Sequence, residues 1–402
     1  MEIAFDAGEA VRGALARIGR TEDVRFSPDE RRLALVGLEA NRLLVLDVET
    51  GPPVSLTGFV EIESDALRSP HGVEWLDSQV LAVANRGGSV ALFELPARRP
   101  RSTRTRLEPL RTIGADAGDL VGTPGSLSAI PIGLDFVELL VCNNYLHHVS
   151  RHLLDRRNGY AMLAADLLLD GGLELPDGVA HGPGGRWIAV SNHDRHNVLL
   201  YRNDVPPGQA DTPAGTLSGI AFPHGLRFTA NGTALIVADA GAPFVRLFRS
   251  GDGDWSGERL PSASIRVLAD ETFARGHNNP QEGGPKGIDA TRDARLMVAT
   301  CERQPLAFFD LAAMLDEAGA TAMPEAEATI EDEAERARAA LLRYFAAAEA
   351  RVGRATEAIR RSSEREIRLM ANSRSWRLTA PLRRLKDAVN RVRPRRWRRR
   401  RR

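Results

Sequence analysis

The sequence predicts an all-β, six-bladed β-propeller over residues 21–312, followed by a long α-helix and a basic tail. Three observations carry this reading. One strand-and-turn pattern recurs six times along the first three quarters of the chain. Its openings lie about 50 residues apart, the length of a four-stranded blade. After Pro324 the composition changes abruptly to Ala, Glu and Arg, which are strong helix formers.

The repeating unit opens with Pro-x-Gly and a short strand. A polar turn leads to a strand ending Val-Ala-Asn/Asp, and a third strand ends in Leu or aromatic residues. The second copy runs from Pro70-His71-Gly72 through Val83-Ala84-Asn85 to Phe93, and the fourth from Pro176-Asp177-Gly178 through Asn192 to Tyr201. The fifth runs from Pro223-His224-Gly225 through Asp239 to Phe248, and the sixth from Pro285-Lys286-Gly287 through Thr300 to Phe309. The third is more divergent, with Pro124-Gly125-Ser126 and then Val141-Cys142-Asn143. The first lacks the Pro-x-Gly opening but keeps the strands around Val24, Leu35 and Leu44.

Strand side chains alternate with period two, so a one-residue slip would reverse every face. The copies hold register: Val73 and Trp75, Val179 and His181, and Leu226 and Phe228 take matching positions. Small residues (Ala84, Cys142, Ser191, Ala238, Ala299) recur near the end of the second strand, where strands converge on an axis. Fourth strands are expected around residues 53–62, 107–113, 161–168, 216–220 and 262–268. The sixth copy has none after Leu311, so residues 1–20 form a separate segment whose start, residues 1–6, is expected to close the last blade and remove an open edge. A sandwich or barrel is the rival reading of regularly spaced short strands, but it explains the repeat poorly.

The total charge of +1 is uneven. From Ser373 to Arg402 the chain has 14 basic residues and one acid, a net +13 that leaves −12 for the rest. The tail, not the body, is therefore the part suited to anionic partners. Two cysteines, placed by the repeat in opposite blades, exclude a disulfide framework. No 7–15-residue apolar run marks a signal peptide in residues 1–20, and no apolar stretch is long enough to span a membrane. A cytoplasmic protein is expected. No dinucleotide fingerprint, P-loop, nucleophile elbow or zinc-finger spacing is present.

The middle residue of each Pro-x-Gly begins an innermost strand and is expected at the channel mouth. Taken blade by blade these are Glu22, His71, Gly125, Asp177, His224 and Lys286. Two imidazoles and two carboxylates around one axis suit a divalent cation, so Glu22, His71, Asp177 and His224 are candidate metal ligands. The plain alternative is a ring of turn residues with no metal. A second possibility is a small polar ligand held by Asn85, Asn143, Asn192, Asp239 and Lys286, against which stands the habit of Asn and Asp of bonding to their own loops. Loop residues His147, His148 and His277 and the Asp252-Gly-Asp254 triplet read as exposed turns.

These openings and Val-Ala-Asn/Asp strands resemble the six-bladed propellers of the senescence-marker/gluconolactonase type and the NHL and YVTN repeats. The resemblance implies a metal at the channel mouth held by Glu, Asn and Asp side chains. Glu22 and Asp177 match that pattern; His71, His224 and Lys286 depart from it.

Residues 324–371 read as a helix. Leu341, Phe345, Ala348, Val352, Ala355 and Ile359 alternate at spacings of four and three, the heptad rhythm of a self-associating coiled coil. A single helix lying on the propeller, or a solvated one, would show the same composition. Residues 372–402 form a basic amphipathic tail. Its Ser375-Trp376-Arg377 and Thr379-Ala-Pro-Leu-Arg383 are similar to a run found after coiled coils at the ends of bacterial glycosyltransferases and methyltransferases of surface-polysaccharide clusters. That resemblance implies a pathway and a place, not a reaction. Trp376 and Trp397 suit a lipid interface, and Arg377, Arg383 and Arg384 suit anionic headgroups. Nucleic acid is the second candidate anion.

The sequence thus supports a non-catalytic binding or scaffolding propeller, peripheral at the inner membrane face, in bacterial surface-glycan assembly. Its partners would be a second copy through the helix, an anionic membrane and glycan-assembly proteins. The alternative is a metal-dependent lactonase or related hydrolase at the channel mouth, with one divalent ion as its cofactor.

Overall fold

In the computed structural model of the 402-residue chain, the residues described are 1–96, 102–114, 120–204, 212–277 and 279–317, with the isolated positions 338, 341 and 342. They form six sheets in sequence order, the six blades of a propeller, each built on antiparallel strands. The inner strands are Thr21–Phe26, Pro70–Trp75, Pro124–Ile132, Pro176–His181, Pro223–Phe228 and Pro285–Ala290. Of the sequence-assigned helix, only positions 338, 341 and 342 are described, and they are helical; the remainder of that helix and the whole basic tail lie outside the described residues.

The strands are buried on both faces rather than one. Alternate residues of Arg32–Gly37 show why: Leu33 and Leu35 enter the core shared with blade 6, while Ala34 and Val36 enter the core shared with blade 2. The six apolar clusters each lie between consecutive blades, and the one between blades 6 and 1 closes the ring. Such strands read as continuous apolar runs because neither face meets water.

The N-terminal segment completes that closure. Glu2–Ile3 pairs antiparallel with Phe308 and Phe309 as the outer strand of blade 6. Phe5–Ala7 pairs instead with the outer strand of blade 1, parallel to Val54–Leu56. Between them and blade 1 lies a helix the sequence reading did not contain, Glu9–Ile18, whose Val11, Ala14, Leu15 and Ile18 pack into the cluster of blades 6 and 1. The rest of the blade 1 edge and the edge of blade 4 are covered from the next blade. Thr103–Arg106 adds parallel to the outer strand of blade 1, and Gly257–Arg259 adds parallel to that of blade 4. Covering removes unpaired backbone groups that would otherwise template association.

Every inner strand breaks register with its neighbour just at the opening turn: between Thr21 and Asp23, Pro70 and Gly72, Pro124 and Ser126, Pro176 and Gly178, Pro223 and Leu226, and Pro285 and Ile288. A bulge of this kind leaves a residue unpaired and re-aims its side chain. The glycine that follows is required by its neighbour. A β-carbon on Gly178 would lie 2.2 Å from the His224 carbonyl oxygen, and one on Gly225 would lie 2.5 Å from that of Lys286. The inner strands therefore stand shoulder to shoulder around the axis. Where blades 1 and 3 lack this glycine, Asp23 and Ser126 use the side chain to accept from the next blade's Val73 and Val179 amides.

Candidate functional site: a charged cluster on the propeller axis

The bulged residues gather at one end of the axis. Glu22 Oε2 lies 3.6 Å from Nε2 of both His71 and His224, and 3.2 Å from Lys286 Nζ. Asp177 Oδ2 lies 3.2 Å from His224 Nε2, and its Oδ1 lies 3.9 Å from His71 Nε2. The two imidazoles come from opposite blades and stack with centroids 5.3 Å apart. All five side chains are buried, not solvated.

Blade 3 has Gly125 at this position because its place is filled from above. A β-carbon there would lie 1.9 Å from Asn144 Oδ1, and Asn144 Nδ2 donates to Asp177 Oδ1 at 2.6 Å. Asn144 is one of a second set that the sequence reading missed. It follows the terminal Asn143 of its strand, just as Arg86 follows Asn85 and His193 follows Asn192. Arg86 Nη2 donates to His71 Nε2 at 2.8 Å and to Asp177 Oδ1 at 3.2 Å. His193 bonds Asp194 and Glu282, both at 2.9 Å. Glu282 also accepts from Lys286 Nζ at 2.7 Å, tying blade 4 to blade 6 across the mouth. Arg20 pairs with Glu22 and with Glu302. One residue beyond each Asn was the signal that would have found Arg86, Asn144 and His193.

The charges sort by contact. Burial favours the neutral acid at Glu22, but Lys286, His71, Arg20 and His224 hold it down at about 2. Burial likewise opposes ionisation of Asp177, yet His224, Arg86 and His71 keep it well below the usual range. Burial, reinforced by Arg86, lowers His71 to about 3 despite Asp177 and Glu22, so its ring is neutral. Burial also lowers His224. His193 goes the other way: against burial, its hydrogen bond to Glu282 and the charge of Asp177 raise it to about 9, so it is an imidazolium.

The four other candidates do not join this cluster. Asn85, Asn143, Asn192 and Asp239 are buried at the ends of the second strands, and each holds the backbone two residues before its own blade's Pro-x-Gly. Their side-chain oxygens accept from the amides of Arg68, Gly122, Glu174 and Ala221 respectively. They are clamps that seat the opening turn rather than a lining of the mouth. Lys286 alone of that group faces the axis. Of the loop residues, His147 Nδ1 accepts from the Leu175 amide, His277 bonds the Phe273 carbonyl, and Asp252 caps its own turn at Asp254.

Three residues further along the inner strands a second charged layer crosses the axis. Arg227 of blade 5 donates from Nη2 to Glu74 Oε2 of the opposite blade 2 at 2.8 Å. Arg227 Nε also donates to Asp289 at 3.0 Å, and Arg25 pairs with Asp23 at 2.7 Å and lies 3.5 Å from Glu74. Burial, with Asp289 and Asp23, raises Glu74 to about 8 against the pull of Arg25. This layer plugs the channel beneath the mouth.

Residues 5–126 match the family model of the lipoprotein LpqB β-propeller domain. That span covers blades 1 and 2 and the start of blade 3, less than a third of the chain. No curated protein matches the sequence. The fold is a six-bladed propeller, and its N-terminal part is similar to the LpqB propeller domain. Among the described residues no helix is long and apolar enough to cross a membrane.

Proposed function

We propose that the chain is a non-catalytic binding and scaffolding propeller of bacterial surface-glycan assembly, held at the inner membrane face by its basic tail and self-associated through its helix. The observation that carries the non-catalytic reading is the state of the axial groups. Glu22, Asp177 and Glu282 are each neutralised by Lys286, Arg86, His193 or Arg20, and the Glu74–Arg227 layer closes the channel beneath them. A hydrolase needs a base or metal-bound water facing an open bay, and this mouth spends its ionised groups on holding blades together. The pathway and the membrane rest on the tail: Trp376 and Trp397 among arginines, and the Ser-Trp-Arg…Thr-Ala-Pro-Leu-Arg run. Flotation with anionic liposomes tests the docking. The full chain is expected to float and a chain lacking residues 373–402 to sink; equal flotation of both would remove the membrane from the proposal.

The second reading is a metal-dependent hydrolase of lactones. One observation favours it: Glu22, His71 and His224 offer three ligand atoms within 4.8 Å of one another. Hydrolysis of a lactone panel by the full chain, lost in Asp177→Ala, would overturn the non-catalytic reading.

A further inference from the structure

We propose that the Glu282 carboxylate fills, as an internal stand-in, a seat for a small monocarboxylate at the channel mouth, and that a free monocarboxylate carrying a hydroxyl takes its place. The proposal rests on the reading of the propeller as a binding module and names the chemistry it binds. It does not involve the tail, so liposome docking and this seat can fail separately.

Three donors build the seat. His193 Nε2 donates to Glu282 Oε1 at 2.9 Å, and Lys286 Nζ and Asn279 Nδ2 donate to Oε2 at 2.7 and 3.2 Å. Both carboxylate oxygens are therefore held. The two cations belong to the ring itself: Lys286 to the bulged opening of blade 6, and His193 to the turn after the second strand of blade 4. Their side chains are only 3% and 7% exposed, and His193 is an imidazolium. Charged donors shielded from water in this way bind a carboxylate more strongly than neutral or exposed ones.

Glu282 differs from the groups that hold it. It comes not from a blade but from the connection between blades 5 and 6, residues 267–284. The helix in that connection, Asp270–Arg275, has no buried residue. Just after Glu282 the chain is fixed, because the Gly283 and Gly284 amides donate to the Ala240 carbonyl at 2.9 and 2.8 Å. The Glu282 side chain is 12% exposed, nearer to solvent than either cation or the wholly buried Glu22. Rotation of this one side chain toward solvent opens the seat without moving a blade.

Two atoms beside the seat say what the ligand carries besides its carboxylate. Glu22 Oε2 and His224 Nε2 are buried and make no hydrogen bond. They lie 3.6 Å apart, and Glu22 Oε2 is 3.2 Å from the same Lys286 Nζ that holds Glu282. Buried polar atoms normally find partners. The Glu22 oxygen can only accept, so a hydroxyl next to the ligand's carboxylate supplies the donor that the methylenes of Glu282 cannot. The other charges limit the ligand to one negative charge. Lys286 is shared with Glu22 and His193 with Asp194, Arg20 is taken by Glu22 and Glu302, and Arg86 by Asp177. A monoanion in place of Glu282 restores the balance found here, whereas the second charge of a phosphate dianion would be buried without a partner.

The full-length Glu282→Ala variant and the unaltered chain would be melted in rising sodium acetate, glycolate or phosphate, each against sodium chloride at equal ionic strength. A ligand that binds only the folded state raises the midpoint. In Glu282→Ala, acetate is expected to raise it saturably above chloride, and glycolate to do so at about threefold lower concentration through its hydroxyl. The unaltered chain should need at least about tenfold more of either, because its tethered carboxylate competes. The double variant Glu282→Ala/Lys286→Met should lose the acetate effect. If Glu282→Ala folds only with the anion present, the same comparison is read as recovery of the folded state by acetate and not by chloride. Acetate acting no better than chloride on Glu282→Ala, or equally well on the double variant, would overturn the seat. Phosphate acting as well as acetate would overturn its monoanion character, and glycolate no tighter than acetate would overturn the part given to Glu22 and His224.

Discussion

Substituting Gly178 by alanine isolates the packing that brings the six turns to one axis. The added methyl carbon would sit 2.2 Å from the His224 carbonyl oxygen and 3.0 Å from Ser191 Oγ. Ser191 can turn aside, but the carbonyl is part of the adjacent inner strand and cannot. Relief of that contact demands a shift on the order of 1 Å in blade 5, at a position buried on every side. Overpacking of this kind costs about 1–3 kcal/mol, occasionally more. Gly251→Ala is the matched control, since nothing lies within 4 Å of its β-carbon and its backbone is not left-handed. Urea unfolding of both variants beside the unaltered chain gives the difference. Gly178→Ala should lose at least about 1 kcal/mol while Gly251→Ala stays within about 0.5 kcal/mol. A Gly178→Ala chain as stable as its parent would refute the shoulder-to-shoulder account of the Pro-x-Gly motif.

Two further predictions follow from the buried charges and clamps. Glu74 has its folded pKa raised to about 8 from an ordinary 4.5, so the native state binds its proton more tightly than the unfolded chain does. The stability it contributes is full below pH 4.5 and is lost as pH rises through 8. The stability advantage of the parent over Glu74→Gln should therefore shrink between pH 5 and 8.5 in urea titrations; a constant difference would contradict the raised pKa. Asn192→Ala removes the acceptor of the Glu174 amide at 2.6 Å and the donor to the Gly172 carbonyl at 3.0 Å. It should cost about 1–3 kcal/mol in urea unfolding; a variant as stable as the parent would mean that Asn192 does not clamp the opening turn of its blade.

The ring was legible in the sequence because Pro-x-Gly answers two local needs, a bulge and a close neighbour, in the same place of blades 2, 4, 5 and 6. The axial cluster was legible for the same reason, one residue per blade. The second set, Arg86, Asn144 and His193, escaped because each lies in the turn just past the Asn that ends its strand, where strand alternation assigns no face, and that Asn serves its own loop. The Glu74–Arg227 layer escaped because the bulge changes the parity of the inner strand, so simple alternation from His71 or His224 points to the wrong residues. The helix Glu9–Ile18 was hidden by its glycine at position 13 and by a length near three turns, too short for periodicity to speak. The added edge strands Thr103–Arg106 and Gly257–Arg259 are polar and exposed on alternate residues, so nothing apolar marked them.

The most direct test of six turns meeting on one axis is a double-mutant cycle between Glu74 and Arg227, which lie 153 residues apart in sequence and on opposite blades. Glu74→Gln, Arg227→Met and the double variant would be unfolded in urea at pH 8.5, where Glu74 is ionised. The account predicts a coupling of about 1–3 kcal/mol, smaller at pH 5. Additive effects at pH 8.5 would mean that the two side chains do not meet, and the axis would lose its charged core.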